Sequence, residues 1–375
     1  MSVASRFRIL IYNSYSDMTL LDDLSNAISL RYTTGLHGGF RQATVEVPME
    51  LGHAWLYLAR EQLPGRHFKH LVIYEGIELR WEGRIMEAGI AWSGANQSLR
   101  LTAMGYWSSM RDQRVATVDY SGGTQTVDAI IKAALTAECP DIASDQTNIA
   151  AAAGNVNMTL PVDTFLADHI VQNLAPLGDS SDNTYYFAIW ENRIPYYSAR
   201  TVTEIDWEVP LSSIRTGEIT QSALQLRNAA DAYDGSSRQS AAANADSQAL
   251  YPVRDQVVTV PSGTTAGRAQ DARDRFISER KDPQQSSRFT ISGPVFRKAT
   301  HRTEAGQRAA IRAGDVMRVI GLTASAASIS LDNVRTFFIL ETAYDAMRDE
   351  VNVIPDKPPS SLSILLARQG VETKR

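Results

Sequence analysis

The chain has 375 residues, and its 42 acidic and 37 basic side chains give a formal net charge of −5 with neutral histidines. Hydrophobic residues make up 43% of it and charged residues 21%, which is typical of a globular chain of two or three domains and excludes collagen, coiled coil and wholesale disorder. The single cysteine excludes an internal disulfide framework and any multi-cysteine zinc or iron–sulfur site. No apolar window is long enough to span a membrane, so we expect no membrane span and synthesis in the cytoplasm.

The charge is uneven along the chain. Residues 271–375 carry 17 basic and 13 acidic side chains, which leaves an excess of nine acids in residues 1–270. Because these basic residues are interspersed with acids rather than clustered in a stripe, the pattern argues against direct nucleic-acid recognition.

Residues 1–115 predict a β-rich domain. Apolar and polar residues alternate at 7–11, 44–47, 79–81 and 99–101, with glycine-rich turn signals between them. One helix is expected over 53–62. Short strands at this spacing indicate a small barrel or sandwich.

Residues 116–225 predict an α+β domain. The apolar spacing indicates a helix over 127–135 and another over 164–174, separated by a surface loop at 143–157. Strands are expected at 185–190 and 194–198, joined by a hairpin turn at Glu191-Asn192-Arg193.

The rest of the chain divides into two parts. Residues 226–283 predict a linking or completing segment, with a long flexible loop at 234–247, a strand at 257–260 and a helix over 264–281. Residues 284–375 predict a second β domain with strands at 289–291, 316–320 and 336–340 and a turn at Asp332-Asn333. A proline-rich segment at 355–359 ends it, and a short helix follows at 362–367.

We find no constellation of catalytic, cofactor-binding or metal-ligating residues. His67 and His70 lack a third ligand at zinc spacing, and His37 lacks a recognisable nucleophile. Cys139 has no activating signature and is expected to be buried as a small apolar residue. The glycine-rich pieces at 35–39 and 121–123 lack the flanks of a phosphate loop, so phosphate binding is not expected.

Acidic pairs and aromatic residues also favour structural roles. The pairs Asp22-Asp23 and Asp141 with Asp145 match no calcium loop, and turn or capping roles are expected. An exposed row of aromatic residues would suit sugar or base stacking, but packing is favoured for each. These aromatic residues are Trp81, Trp92, Tyr106, Trp107, Tyr185, Tyr186, Trp190, Tyr196, Tyr197 and Trp207.

An ordered series of short motifs resembles the tail-hub, or baseplate-hub, proteins of tailed bacteriophages. The series opens with Ser29-Leu30-Arg31-Tyr32 and ends with Glu341-Thr342-Ala343-Tyr344-Asp345 ahead of the proline-rich segment. The other motifs lie, in order, at 38–43, 79–85, 103–107, 226–228, 232–235, 247–254, 279–283 and 311–316. The resemblance covers nearly the whole chain.

The resemblance implies a predominantly β, α+β fold in which two tube-like small β-barrels flank a mixed α+β middle region. It implies a homotrimeric ring at the distal end of the tail in the virion. A distal tail or tail tube protein would lie above this ring and a tail fibre or tip protein below it. Tape measure protein or DNA would pass through the lumen without sequence-specific binding. Because the chain ends at Arg375, we expect wall-cutting or host-recognition modules to reside in other chains.

Matching a threefold ring to a sixfold tube requires two tube-like domains per chain. An acidic lumen prevents phosphates from being trapped, and Asp22, Asp23 and Glu46 are candidates to face it.

The main interpretation is therefore a non-enzymatic structural tail-tip or baseplate hub protein. The alternatives are a hexameric distal tail protein, a tail-associated carbohydrate-binding adhesin and a wall hydrolase.

Overall fold

A computed structural model gives the fold. It describes residues 3–49, 68–93, 96–117, 119–120, 122–139, 142, 145–152, 155–156, 164–175, 185–199, 205–233, 238–260, 266–281, 284–299, 302–321 and 336–355.

The N-terminal part is a β block preceded by one helical turn. The turn is α1 (Val3–Arg6), and a second short helix, α2 (Trp107–Met110), closes the block. Its strands are β1 (Phe7–Tyr12), β2 (Leu20–Asp23), β3 (Ser29–Gly35), β4 (Gly38–Pro48), β5 (His70–Glu75), β6 (Glu78–Ser93) and β7 (Asn96–Met104). Alternating burial along β3 and β4 matches the predicted period of two.

An α+β region follows. Its elements are β8 (Gln125–Thr126), α3 (Val127–Glu138), β9 (Asn155–Val156), α4 (Leu166–Asp168), which continues as a π-helix over His169–Leu174, β10 (Tyr185–Ile189) and β11 (Pro195–Ala199). The predicted helices and the β10–β11 hairpin are confirmed. Val127, Ile130, Ile131 and Leu135 form the buried face of α3, as their spacing predicts.

The following strands belong to the two β blocks, which together we call the β body. They come before and after a small separate unit, which we call the satellite. The strands β12 (Trp207–Pro210) and β13 (Ile214–Ser222) come first. The satellite holds β14 (Ala229–Tyr233), β15 (Arg238–Ala243), α5 (Ala245–Leu250), β16 (Val257–Thr259) and α6 (Ala266–Arg280). The last strands are β17 (Gln284–Ile291), β18 (Val295–Ala299), β19 (Arg302–Gly306), β20 (Val316–Ile320), β21 (Thr336–Asp345) and β22 (Glu350–Pro355).

One antiparallel run of strands joins the two β blocks. Its order is β2-β1-β5-β6-β7-β4-β3-β21-β22-β17-β13. The central link pairs Gly35 with Glu341 and Arg31 with Asp345, so the first and last parts of the chain share one sheet. The first residues of β21 pair instead with β20, and the run continues through β12, β18 and β19.

The predominantly β, α+β fold class is confirmed, whereas the two barrels stay a prediction. Among the described strands no ladder returns to close a barrel. The β10–β11 hairpin joins the sheet where β10 pairs with β4, and β2, β11, β13 and β19 are the end strands.

The described residues form four hydrophobic clusters, and three of them are the cores of these units. The largest runs through both β blocks and includes Ile9, Trp81, Trp207, Phe337 and Val353. The α+β region has its own core around α3, α4 and the β10–β11 hairpin. The satellite packs α6 on its three-stranded sheet through Ala232, Val260 and Ala269.

Two predicted loops need correction. The surface loop predicted at 143–157 places Ile149, Ala152 and Val156 in the core of the α+β region. The flexible loop predicted at 234–247 contains β15 and the start of α5. At 143–157, Ile149 pairs with Tyr197, a residue distant in sequence, so local composition does not reveal the contact. At 234–247, the small residues of β15 have weak strand propensity and pair with the preceding strand, β14.

Some predictions fall outside the described residues. These are the helices over 53–62 and 362–367, the turn at Asp332-Asn333, and the positions of His67, Ser121 and Asp141.

Candidate functional site

The residues singled out for chemistry are separated in the structure. Cys139 is buried as predicted, with its sulfur 3.2 Å from the Ser109 hydroxyl. His37 lines a cleft of about 860 Å³ between the β body and the α+β region. Asp145 accepts hydrogen bonds from the backbone and hydroxyl of Thr147, which is the turn role expected for it.

Within the described ranges, no group of three or more His, Cys, Asp or Glu side chains is arranged to hold a metal ion. In the same ranges, no helix has the length and hydrophobicity to cross a membrane.

The aromatic residues pack, with one exception. Trp81, Tyr106, Tyr185, Trp190, Tyr197 and Trp207 are buried. Trp107, Tyr186 and Tyr196 are partly buried against the cores. Trp92 is 74% exposed near the end of the β6–β7 hairpin. An exposed row of aromatic residues does not form among them.

The structure instead points to the turn between β10 and β11, where three parts of the chain meet. We call this place the junction and define it by Glu191, Asn192 and Arg193 of the turn with Glu82 and Arg312. Glu82 belongs to β6 of the first β block, and Arg312 precedes β20 of the last one. The turn therefore fixes the α+β region against both β blocks.

Several contacts hold the turn in place. The backbone N–H of Arg193 donates to Glu82 Oε1 at 3.0 Å. The Glu191 carboxylate pairs with the Arg312 guanidinium at 2.5 Å. Trp190, next to the turn, is buried edge-on against Phe40 with ring centroids 5.2 Å apart. Both β blocks thus bind the same four-residue segment.

The backbone of the turn is left-handed at two successive residues. Asn192 has φ 60° and Arg193 has φ 57°. Asparagine adopts this region readily, whereas arginine does so at a cost, which the hydrogen bond to Glu82 offsets. Next to this turn, β10 approaches β4 closely at Gly39, where a Cβ would lie 2.1 Å from the Ile189 carbonyl oxygen.

The turn contacts a buried pair of polar side chains through Glu82. Glu82 and His70 are both almost fully buried, with His70 Nε2 3.9 Å from Glu82 Oε2. His70 Nδ1 is hydrogen-bonded to the Tyr106 hydroxyl at 2.7 Å. Burial raises the pKa of Glu82 to about 7, and burial together with the charge of Arg193 lowers the pKa of His70 to about 4. Between these values the two side chains form a neutral pair instead of an ion pair.

A second polar network crosses from the first to the last β block. Arg6 pairs with Glu75 at 2.5 Å and also with Asp349, which Arg308 contacts as well. The Tyr344 hydroxyl donates to Asp349 Oδ1 at 2.8 Å. Burial opposes ionisation of Asp349, but these donors outweigh it and hold its pKa below the usual value. The network locks the two β blocks together beside the β3–β21 ladder.

The similarity of the chain to known proteins lies in its fold. No family profile matches the chain, and no curated protein matches it significantly. Among solved structures, the 43 kDa tail protein of prophage MuSo2 from Shewanella oneidensis superposes with a TM-score of 0.59 at 12% identity, covering 96% of this chain and 99% of that one. The chain has the fold of phage tail proteins.

Two further tail proteins agree. The tail protein from Neisseria meningitidis MC58 has a TM-score of 0.63 at 10% identity, over 95% of this chain and 96% of that chain. The prophage tail protein gp18 from Listeria monocytogenes EGD-e has a TM-score of 0.57 at 11% identity, over 98% and 99%. The similarity to a tail-hub-like fold noted in the sequence is therefore confirmed over nearly the whole chain.

The residues of the junction were not identified from the sequence. The turn at 191–193 was predicted, but only as a local hairpin connection. A usable signal was the pair of charged residues Glu82 and Arg84 beside Trp81, in the part of β6 that is buried, residues 81–85. Charged residues in a buried strand need partners, and these partners are distant in sequence.

Proposed function

We propose that the chain is a structural, non-enzymatic virion protein that forms the hub at the tail tip or baseplate. In this role it caps the tail tube and anchors the distal tail proteins. The observation that carries the proposal is the fold, which matches three tail proteins over 95–98% of this chain.

The arrangement of the β blocks supports a ring-forming role. The β3–β21 ladder and the Arg6–Glu75–Asp349 network make the first and last β blocks one body, with the α+β region attached through the junction. We propose that these blocks are the two tube-like domains of each subunit and that three subunits form a ring. Two tube-like domains per chain then present six similar units to a sixfold tube.

The domain division follows from this proposal. Residues 1–115 and 284–375 form the two hub domains, residues 116–225 an α+β domain, and residues 226–283 a linking segment. Strands β12 and β13, from the end of the α+β stretch, complete the second hub domain by pairing with β18, β20 and β17.

The lumen of the ring is proposed to be acidic. Asp22, Asp23 and Glu46 are the proposed lumenal acids, and two of them have basic neighbours: Asp23 lies 3.6 Å from Arg8, and Glu46 lies 3.7 Å from Arg100. Tape measure protein or DNA would pass through without base-specific contacts. A distal tail or tail tube protein would bind one side, and a fibre or tip protein the other.

Immunogold labelling of particles produced by the host tests the proposal. Antibodies against the purified chain are expected to mark the distal end of the tail. Particles from a host in which the gene is deleted are the matched control and should lose the label. Label along the tail or on the head, or particles that carry none, would contradict a role at the tail tip.

A hexameric distal tail protein is the second candidate, because it would also be found at this end of the tail. A sixfold instead of a threefold ring distinguishes it. The adhesin alternative lacks support from the aromatic residues, of which only Trp92 is largely exposed among those singled out.

A further inference from the structure

A small polar pocket opens beside the junction, between the loop after β1 and the β10–β11 turn. It has a volume of about 350 Å³. The residues that matter for its chemistry are Ser14, Tyr15, Ser16, Arg84, Asp112 and Arg193. Its volume suits one side chain of a partner and is too small for a folded element.

Arg193 is the main cation of this pocket. Its guanidinium lies over the Tyr15 ring at 3.5 Å from the centroid, and its Nε is buried without a hydrogen-bond partner. A buried guanidinium N–H without an acceptor costs free energy, whereas stacking on the ring fixes its direction. The chain thus holds a donor in place with nothing to receive its hydrogen.

The acids near Arg193 are engaged elsewhere. Glu82 accepts the backbone N–H of Arg193, and burial raises its pKa to about 7. Asp112 pairs with the Arg84 guanidinium at 3.2 Å. Within the described part of the chain, the Arg193 guanidinium forms no ion pair. Two arginines therefore line this pocket with one aspartate, which is already paired with Arg84.

The serine hydroxyls provide a further donor. The two hydroxyl oxygens of Ser14 and Ser16 are 3.1 Å apart, and Ser14 Oγ also accepts the backbone N–H of Asp17. Whichever serine donates to the other, one hydroxyl hydrogen stays unused by the contacts in this loop. It lines the same pocket as Arg193.

We propose that this pocket binds an oxyanion, and that its occupant is the carboxylate of an acidic side chain from a partner chain. The planar fork of Arg193 provides paired donors that match the two oxygens of a carboxylate, and a serine hydroxyl provides a third. The assignment to a partner chain rests on the proposed tail function, whereas the binding of an oxyanion does not.

Thermal unfolding of the full chain at pH 7 tests the site, with sodium acetate or sodium phosphate replacing chloride at constant ionic strength. A ligand that binds only the folded chain raises the midpoint in a saturable way. We expect acetate to do so. In Arg193→Gln the fitted dissociation constant should rise about tenfold, because a charge-assisted hydrogen bond is lost. Arg111→Gln, in the separate cleft, is the matched control and should bind acetate as the parent does.

The outcomes separate the alternatives. Should Arg193→Gln fail to fold, Ser16→Ala, an exposed change in the same pocket, is expected to weaken acetate binding as well. Saturable binding of phosphate but not acetate would overturn the carboxylate assignment. Equal effects of acetate on the parent and on both pocket variants, or no saturable effect on the parent, would overturn the site. None of these outcomes depends on where the chain lies in a virion.

Discussion

Replacing Glu82 by Gln is expected to change how stability depends on pH. The carboxyl of Glu82 has an ordinary pKa of 4.5, and burial raises it to about 7 in the folded chain. Because the folded pKa is the higher one, the contribution of Glu82 to stability is fully present below pH 4.5 and is lost as the pH rises through 7. The difference between these two pKa values corresponds to about 3 kcal/mol in the free energy of unfolding.

His70 works in the opposite direction. Its pKa falls from 6.5 to about 4 on folding, so its contribution is present above pH 6.5 and is lost as the pH falls through 4. This again amounts to about 3 kcal/mol. Between pH 4.5 and 6.5 the proton is carried by Glu82 in the folded chain and by His70 in the unfolded chain. In the parent, the pH dependence that Glu82 gives to the free energy of unfolding therefore cancels that of His70. In Glu82→Gln only the pH dependence due to His70 is left.

Urea unfolding from pH 4.5 to 7.5 measures the effect. The free energy of unfolding of the parent minus that of Glu82→Gln is expected to decrease by about 3 kcal/mol over this range. Gln retains an oxygen for the Arg193 N–H, so the turn contact is kept. Glu87→Gln, an exposed change on the same strand, is the control for removing a carboxylate outside the buried pair. A difference for Glu82→Gln that varies with pH no more than the difference for Glu87→Gln would refute the reasoning about the buried pair.

Three other changes should give distinct results in the same unfolding assay. Asp349→Asn removes the charge that Arg6, Arg308 and Tyr344 contact and should cost about 2 kcal/mol, whereas Asp23→Asn, in an exposed pair, should cost less than about 1 kcal/mol. Gly39→Ala should cost at least about 2 kcal/mol, because φ is 76° and the Cβ meets the Ile189 carbonyl; Gly122→Ala, with open space around it, should be neutral within about 0.5 kcal/mol. Trp92→Ser should stay within about 0.5 kcal/mol, whereas Trp81→Ala, in the core, should cost about 3 kcal/mol or more. Within each pair, the described environment is contradicted if the change expected to be mild lowers the free energy of unfolding strongly. It is also contradicted if the change expected to be severe leaves the free energy of unfolding unaltered.

Local patterns predicted most of the elements that bury one clear face. The helix at 127–135 and the hairpin around 191–193 follow from the spacing of apolar residues and a turn signal, and both are confirmed. The predominance of β structure in the first and last blocks follows in the same way.

Contacts between distant segments could not be predicted in this way. Ile149, in a segment expected to be a surface loop, pairs with Tyr197 of β11 and lies in the core of the α+β region. The pairing of β3 with β21 joins residues about three hundred positions apart, and no local pattern encodes it. The junction could not be predicted for the same reason, because Glu82, Arg193 and Arg312 come together only in the folded chain.

The rotational symmetry of the purified chain, determined by negative-stain electron microscopy with unbiased classification, distinguishes a hub from a distal tail protein. A hub is expected to form threefold rings with a central hole, six inner lobes from the two β blocks of each subunit and the α+β regions outside them. Sixfold rings with one inner lobe per subunit would contradict the hub assignment and favour the distal tail protein.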